Sequence, residues 1–139
     1  DENGSSYTHY AQPLAHPLGA NFSEHLLALW YQPFPKIVIN NTLLMANYGT
    51  DPTGENYGGN VFLDYNTYSN EYGNFTGQGI NNQLLMNDLV VSWQFWHNAS
   101  LDFRCIYRDL QVSASRQNAN ELFFSVGVRL NEVLKQYLY

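Results

Sequence analysis

Leu122-Phe123-Phe124-Ser125-Val126-Gly127-Val128-Arg129-Leu130-Asn131 is the stretch that decides the fold. Leu122, Phe124, Val126, Val128 and Leu130 hold every second position, and Phe123, Ser125, Gly127, Arg129 and Asn131 fill the others. A two-residue period means a strand with two chemically different sides. Upstream, Leu101, Phe103, Cys105 and Tyr107 alternate in the same way with Asp102, Arg104, Ile106 and Arg108. Large apolar groups on one side and arginines on the other fit two settings. One is a soluble sheet; the other is a barrel wall with lipid outside and a wet lumen inside.

Composition favours the second setting. Only 13% of the 139 residues are Asp, Glu, Lys or Arg, about half the ~25% of ordinary soluble domains. Aromatic residues make up 16%, with Tyr 11, Phe 8 and Trp 3. No segment approaches the ~20 uninterrupted apolar residues of a membrane helix. A net charge of -6 leaves nothing to neutralise a run of phosphates, so nucleic acid is not an expected partner. The single cysteine, Cys105, excludes an internal disulfide framework or a cysteine zinc cluster, and its place among apolar strand positions makes it a small hydrophobe. No signal peptide is visible, so the chain reads as a mature form or a fragment.

The pattern predicts an all-β, antiparallel, up-and-down transmembrane β-barrel segment of about five to seven long strands, part of a larger barrel. Residues 1–23 read as an irregular stretch punctuated by Gly4, Pro13, Pro17 and Gly19. Residues 24–139 read as the strands of one segment, with a long loop at about 49–82. Strands are expected at about 25–32, 36–48, 83–95, 101–109 and 121–131, with Pro33-Phe34-Pro35 breaking the first. Val61-Phe62-Leu63-Asp64-Tyr65 suggests a short strand within the loop, and residues 132–139 a helical turn or a last extended stub. Connections should then alternate short (33–35, 97–100) with long (49–82, 110–120), like the brief periplasmic turns and larger outer loops of bacterial barrels. Five strands cannot close a barrel, whose smallest single-chain form has about eight, so strands must come from elsewhere.

Three segments carry a resemblance: residues 7–22 (YTHYAQPLAHPLGANF), residues 56–62 (NYGGNVF) and the ending Gly127-Val128-Arg129-Leu130-Asn131. Together they resemble the C-terminal part of large outer-membrane barrels of Bacteroidetes-type bacteria, the Wzi-like capsule-assembly group and related gliding-motility barrel proteins. The resemblance implies a bacterial outer-membrane location and a non-catalytic role in surface polysaccharide association, motility or transport, or as a subunit of an envelope complex. Outer-membrane lipid, surface polysaccharide and other envelope chains or missing barrel strands are the partners it implies. The chain is several times shorter than members of that group, and no catalytic residue of theirs maps onto it.

The candidate sites follow from the same faces. Asp88, Asp102, Arg104, Arg108 and Arg129 form an expected lumen-facing charged network, either a structural set of ion pairs or a path for an anion or acidic polysaccharide. Tyr57, Tyr65, Tyr68 and Tyr72 are a possible ligand-binding loop for sugar. His9, His16, His25 and His97 lack the spacing of a zinc hydrolase, so no metal and no cofactor is expected. No Ser-His-Asp arrangement, phosphate-cradling loop or dinucleotide motif is present, and an enzyme is not expected. Asn-x-Ser/Thr sequons at Asn3, Asn21, Asn40, Asn74 and Asn98 reflect the abundance of Asn more than glycosylation. The competing reading is a soluble all-β carbohydrate-binding domain whose apolar faces pack sheet on sheet.

Overall fold

In the computed structural model, residues 8–9, 12–13, 16, 18–114 and 117–130 are described. Five long strands dominate: β3 (Phe22–Phe34), β4 (Ile37–Thr50), β5 (Ile80–Trp96), β6 (Ala99–Val112) and β7 (Gln117–Leu130). They follow two minimal strands, β1 (Thr8–His9) and β2 (Gln12–Pro13), paired antiparallel as Thr8↔Pro13 and His9↔Gln12. The long strands form one antiparallel up-and-down sheet in the order β3-β4-β5-β6-β7. No α-helix occurs among the described residues. The edges β3 and β7 do not pair with each other.

Every long strand reaches beyond its sequence boundaries. Runs such as Ile80-Asn81-Asn82-Gln83 and Gln117-Asn118-Ala119-Asn120 look like loop by composition, yet they stay extended at the polar ends of apolar strands. The connection expected at 110–120 therefore shrinks to 113–116, and the long loop to 51–79. Only one of the two expected long connections is long. Pro33 does not break β3, which continues to Phe34 before a Pro35-Lys36 turn. Proline removes one ladder donor, a loss that an edge strand bears where the position points away from its neighbour. Gln32 Nε2 closes this turn by donating to the Pro35 carbonyl at 3.1 Å. Val61–Tyr65 is not a strand: Asp64 caps a 3-10 turn, Tyr65–Thr67, by accepting from the Asn66 N–H at 3.0 Å. Residues 1–23 are not wholly irregular, since they hold β1, β2 and the first residues of β3. The ending expected as a turn or stub (132–139), Asn131 and the Asn3 sequon lie outside the described residues.

The chain divides into two compact units. The first comprises 1–25, 44–85 and 109–120, and the second 26–43, 86–108 and 121–139. In the first, the polar strand ends and the long loop bind one another through side-chain amides. Asn21, 7% exposed, accepts from the Gly77 N–H and donates to the Gln78 carbonyl, each at 2.7 Å. Gly77 (φ 85°) and Gly79 (φ 87°) make the return into β5, and a Cβ on Gly79 would stand 2.7 Å from the Thr50 carbonyl oxygen. Only glycine fits there. The described residues of the second unit form strand surfaces without an interior. Among all described residues the only buried apolar side chains are Ala46 and Ala99, and no large side chain is fully buried.

Candidate functional site

The second unit presents two chemically distinct faces. Strand alternation sends Asp88, Asp102, Arg104 and Arg108 to one side together with Glu121 and Arg129 of β7. They meet as three separate pairs. Arg104 grips Asp88 in a fork, Nε to Oδ1 at 2.8 Å and Nη2 to Oδ2 at 2.6 Å. Arg129 Nη2 lies 3.2 Å from Asp102 Oδ1, and Arg108 Nη1 lies 3.3 Å from Glu121 Oε2. Of the five charges singled out in the sequence, four pair among themselves. Arg108 takes Glu121 instead, a residue the sequence reading passed over although it shares the face of Arg129 by parity. All three pairs are partly exposed, so each contributes only about 0–1 kcal/mol. Their use is to leave none of Arg104, Arg108 and Arg129 without a counter-charge. Lys36, Asn40, Ser92, Gln94, Ser100, Asp102 and Arg129 line a shallow depression of about 370 Å³ on this face.

The opposite face is apolar. Leu89, Val91, Phe103, Cys105, Phe124 and Val126 share one shallow patch. Along β7, Leu122, Phe124, Val126, Val128 and Leu130 are 59–67% exposed. Trp93 and Phe95 pack at 6.1 Å near the end of β5, whereas Trp96, 74% exposed, alternates to the side of Asp88. Asn41 and Asn87 exchange two amide hydrogen bonds, at 3.3 and 3.0 Å, so neither side chain leaves its polar groups without a partner.

In the first unit the long loop is organised by one carboxylate. Asp51 accepts from the backbone N–H groups of Tyr57 (2.9 Å), Gly59 (3.2 Å) and Asn60 (2.8 Å). Asn56 ties the loop across itself to Thr67 and Ser69. Of the four candidate tyrosines, the side chains of Tyr57, Tyr68 and Tyr72 are described, and each has its own surroundings. Tyr57 is half-buried beside Glu55, whose carboxylate raises the phenol's pKa above its ordinary value by hydrogen bonding, with desolvation and the charges of Glu55 and Asp51 acting in the same direction. Tyr65 falls in the 3-10 turn. Tyr68 lines a small groove with Asn70, Glu71 and Asn74, while Tyr72 stands 83% exposed.

The three histidines whose side chains are described have different partners. His16 stacks on Phe22 at 4.3 Å, accepts from the Leu18 N–H through Nδ1, and places Nε2 3.4 Å from Glu24. His25 lines a groove of about 470 Å³ with Met45, Asn47, Gln83, Asp109 and Gln111. His97 occupies the β5–β6 turn, its carbonyl accepting from Gln94 Nε2 at 2.8 Å. The His9 side chain lies outside the described residues. No cluster of three or more His, Cys, Asp or Glu that could hold a metal ion occurs among the described residues. Residues that mattered and carried little sequence signal are Asn21, Asp51 and Gly77, because their partners lie across turns or far along the chain. No family model, no curated protein and no solved structure matches the chain.

Proposed function

We propose that the chain is a wall element of a bacterial outer-membrane β-barrel, with the apolar face of its second unit against lipid and the ion-paired face toward a wet lumen. One observation carries this reading. Five consecutive same-side residues of β7 are about two-thirds exposed, while every described arginine of the opposite face (Arg104, Arg108 and Arg129) has a carboxylate beside it. Fully burying such a side chain gives about 1.5–3 kcal/mol, so these five hold on the order of 5–10 kcal/mol of unrealised transfer energy. That equals the whole stability of an ordinary domain. Lipid is a solvent that recovers it without a second protein layer. Strands of 13–17 residues exceed the ~9–11 needed to cross with tilt. Trp93 and Phe95, on the apolar face beside a two-residue turn, suit the aromatic girdle at a headgroup level.

The role of such a wall element is positional and non-catalytic: to support surface polysaccharide association, motility or transport, or to serve as a subunit of an envelope complex, as the Wzi-like resemblance implies. The reading as a soluble carbohydrate-binding domain draws on one observation, the exposed Tyr68, Tyr72 and Phe75 around the Asn70–Asn74 groove. Expression of residues 1–139 without detergent separates the two. The barrel reading expects aggregation in water and recovery of sheet structure in detergent or lipid. A folded, monodisperse, water-soluble monomer sinks it.

A further inference from the structure

We propose that the depression on the ion-paired face of the second unit is a binding site for a sugar acid, a hydroxylated ring that carries one carboxylate. The proposal rests on the reading above in one respect only: that this face is open to water. The depression lies by the two short turns. Lys36 comes from the β3–β4 turn, Asn40 from β4, Ser92 and Gln94 from β5, and Ser100 from β6. Val38 and Val90 supply its apolar part. Its volume of about 370 Å³ falls in the ~300–1,000 Å³ range of small-molecule sites. The Gln94 N–H donates to the Lys36 carbonyl at 2.8 Å, which holds these two residues side by side.

Charge selects a single carboxylate. The described Lys and Arg side chains are Lys36, Arg104, Arg108 and Arg129, and each of the three arginines has a carboxylate beside it. Lys36 has none among the described residues. In the depression Lys36 and Arg129 stand against Asp102, two positive charges and one negative, for a net of +1. One carboxylate balances that charge, whereas a phosphate monoester at about −1.5 to −2 overshoots it. Elsewhere the chain repels anions. Its net charge is -6, and the described residues of the first unit hold Glu24, Asp51, Glu55, Asp64, Glu71 and Asp109 with no Lys or Arg.

The remaining groups suit a sugar better than a bare anion. Asn40, Ser92, Gln94 and Ser100 offer uncharged donors and acceptors for ring hydroxyls. Gln94 is held in place because its Nε2 donates to the His97 carbonyl at 2.8 Å. Asp102 meets Arg129 through Oδ1 at 3.2 Å, and its Oδ2 can accept from a hydroxyl. Alternation puts Trp96 on the same side, two residues beyond Gln94. It is 74% exposed and has no ring contact among the described residues. A large apolar ring on a wet face calls for an apolar cover. The C–H face of a sugar ring is such a cover, and it leaves the edge hydroxyls free to reach the amides and the carboxylate free to reach Lys36.

The test titrates the full chain, folded in detergent micelles, with sodium glucuronate, glucose, inorganic phosphate and a linear trigalacturonate. Tryptophan fluorescence and isothermal calorimetry read binding, and circular dichroism checks the sheet content of each variant. Glucuronate should bind saturably, and glucose roughly three- to tenfold more weakly, the worth of one partly exposed charged contact. Lys36→Gln should bring glucuronate down to the level of glucose, and Lys36→Arg should restore it. Trp96→Ala should weaken glucuronate and glucose alike. Tighter binding of trigalacturonate than of glucuronate would assign the site to a glycan chain, and equal affinity to a free sugar acid. The proposal is overturned by a folded chain that shows no saturable glucuronate binding, by phosphate binding more tightly than glucuronate, or by an affinity that Lys36→Gln leaves unchanged. Ser125→Cys in a Cys105→Ser background, on the same face outside the depression, is treated separately with a water-soluble maleimide in lipid vesicles. Failure to label refutes the wet face itself, whereas labelling without glucuronate binding refutes only this proposal.

Discussion

Val126→Arg is the substitution that should hurt most on β7. From Leu122 to Leu130 there are eight steps, which at about 3.3 Å per residue span about 26 Å along the strand. With a tilt near 40° that becomes about 20 Å along the membrane normal, close to the ~25 Å apolar band of outer-membrane barrels. Val126, 66% exposed, sits at the centre of that span. An arginine there should cost about 2–4 kcal/mol, and one at Leu122 or Leu130, near the interface, about 0–1 kcal/mol. Ser125→Arg turns to the face that already holds paired arginines and should be close to neutral. Denaturant unfolding of the chain in detergent micelles or thin-lipid vesicles reads all four variants. At about 1.4 kcal/mol per tenfold, the central variant should shift the folding equilibrium by roughly 30- to 1000-fold. Equal losses at 125 and 126, or no gradient from 126 to 130, would refute the assigned sidedness.

Other expectations concern single contacts. Asn21→Ala leaves the Gly77 N–H without its acceptor and should cost about 1–3 kcal/mol, with faster protease cleavage within residues 51–79 as the readout. Arg129→Asp sets two carboxylates together at 102 and 129 and should lower the unfolding midpoint. Adding Asp102→Arg should restore it, because a partly exposed pair is worth only about 0–1 kcal/mol in either orientation. Tyr57 should ionise above the ordinary tyrosine range, read as phenolate absorbance missing in Tyr57→Phe, and Glu55→Gln should bring that ionisation down. Because the folded-state pKa is raised, the stabilisation it reports is fully present below about pH 10 and is lost as pH climbs through the raised value. A midpoint unchanged by Glu55→Gln would show that Glu55 is not the cause.

The all-β class was legible in the sequence because alternation at 101–108 and 122–130 is a local property. Strand ends were not, since Asn81, Asn82, Gln111 and Asn118 have loop-like chemistry and are held extended by neighbours that only the sheet supplies. The same holds for Pro33, whose tolerance depends on β3 lying at an edge. Charge pairing was half legible. Asp88 and Arg104 share a parity that the sequence displays, but whether Arg108 meets Glu121 or another carboxylate depends on register, which slips without changing composition. The loop around Asp51 was the least legible part. One carboxylate there collects three backbone donors from residues 57–60, a geometry with no periodic signal.

Spin labels placed singly at residues 122–129, with Cys105→Ser, test the account most directly when the chain is embedded in lipid vesicles. Collisions with dissolved oxygen report lipid, and collisions with a water-soluble nickel chelate report water. The account predicts a two-residue alternation: oxygen-accessible at 122, 124, 126 and 128, chelate-accessible at 123, 125, 127 and 129, with oxygen access greatest at 126. Chelate access at both sets, or a profile without that period, would contradict it.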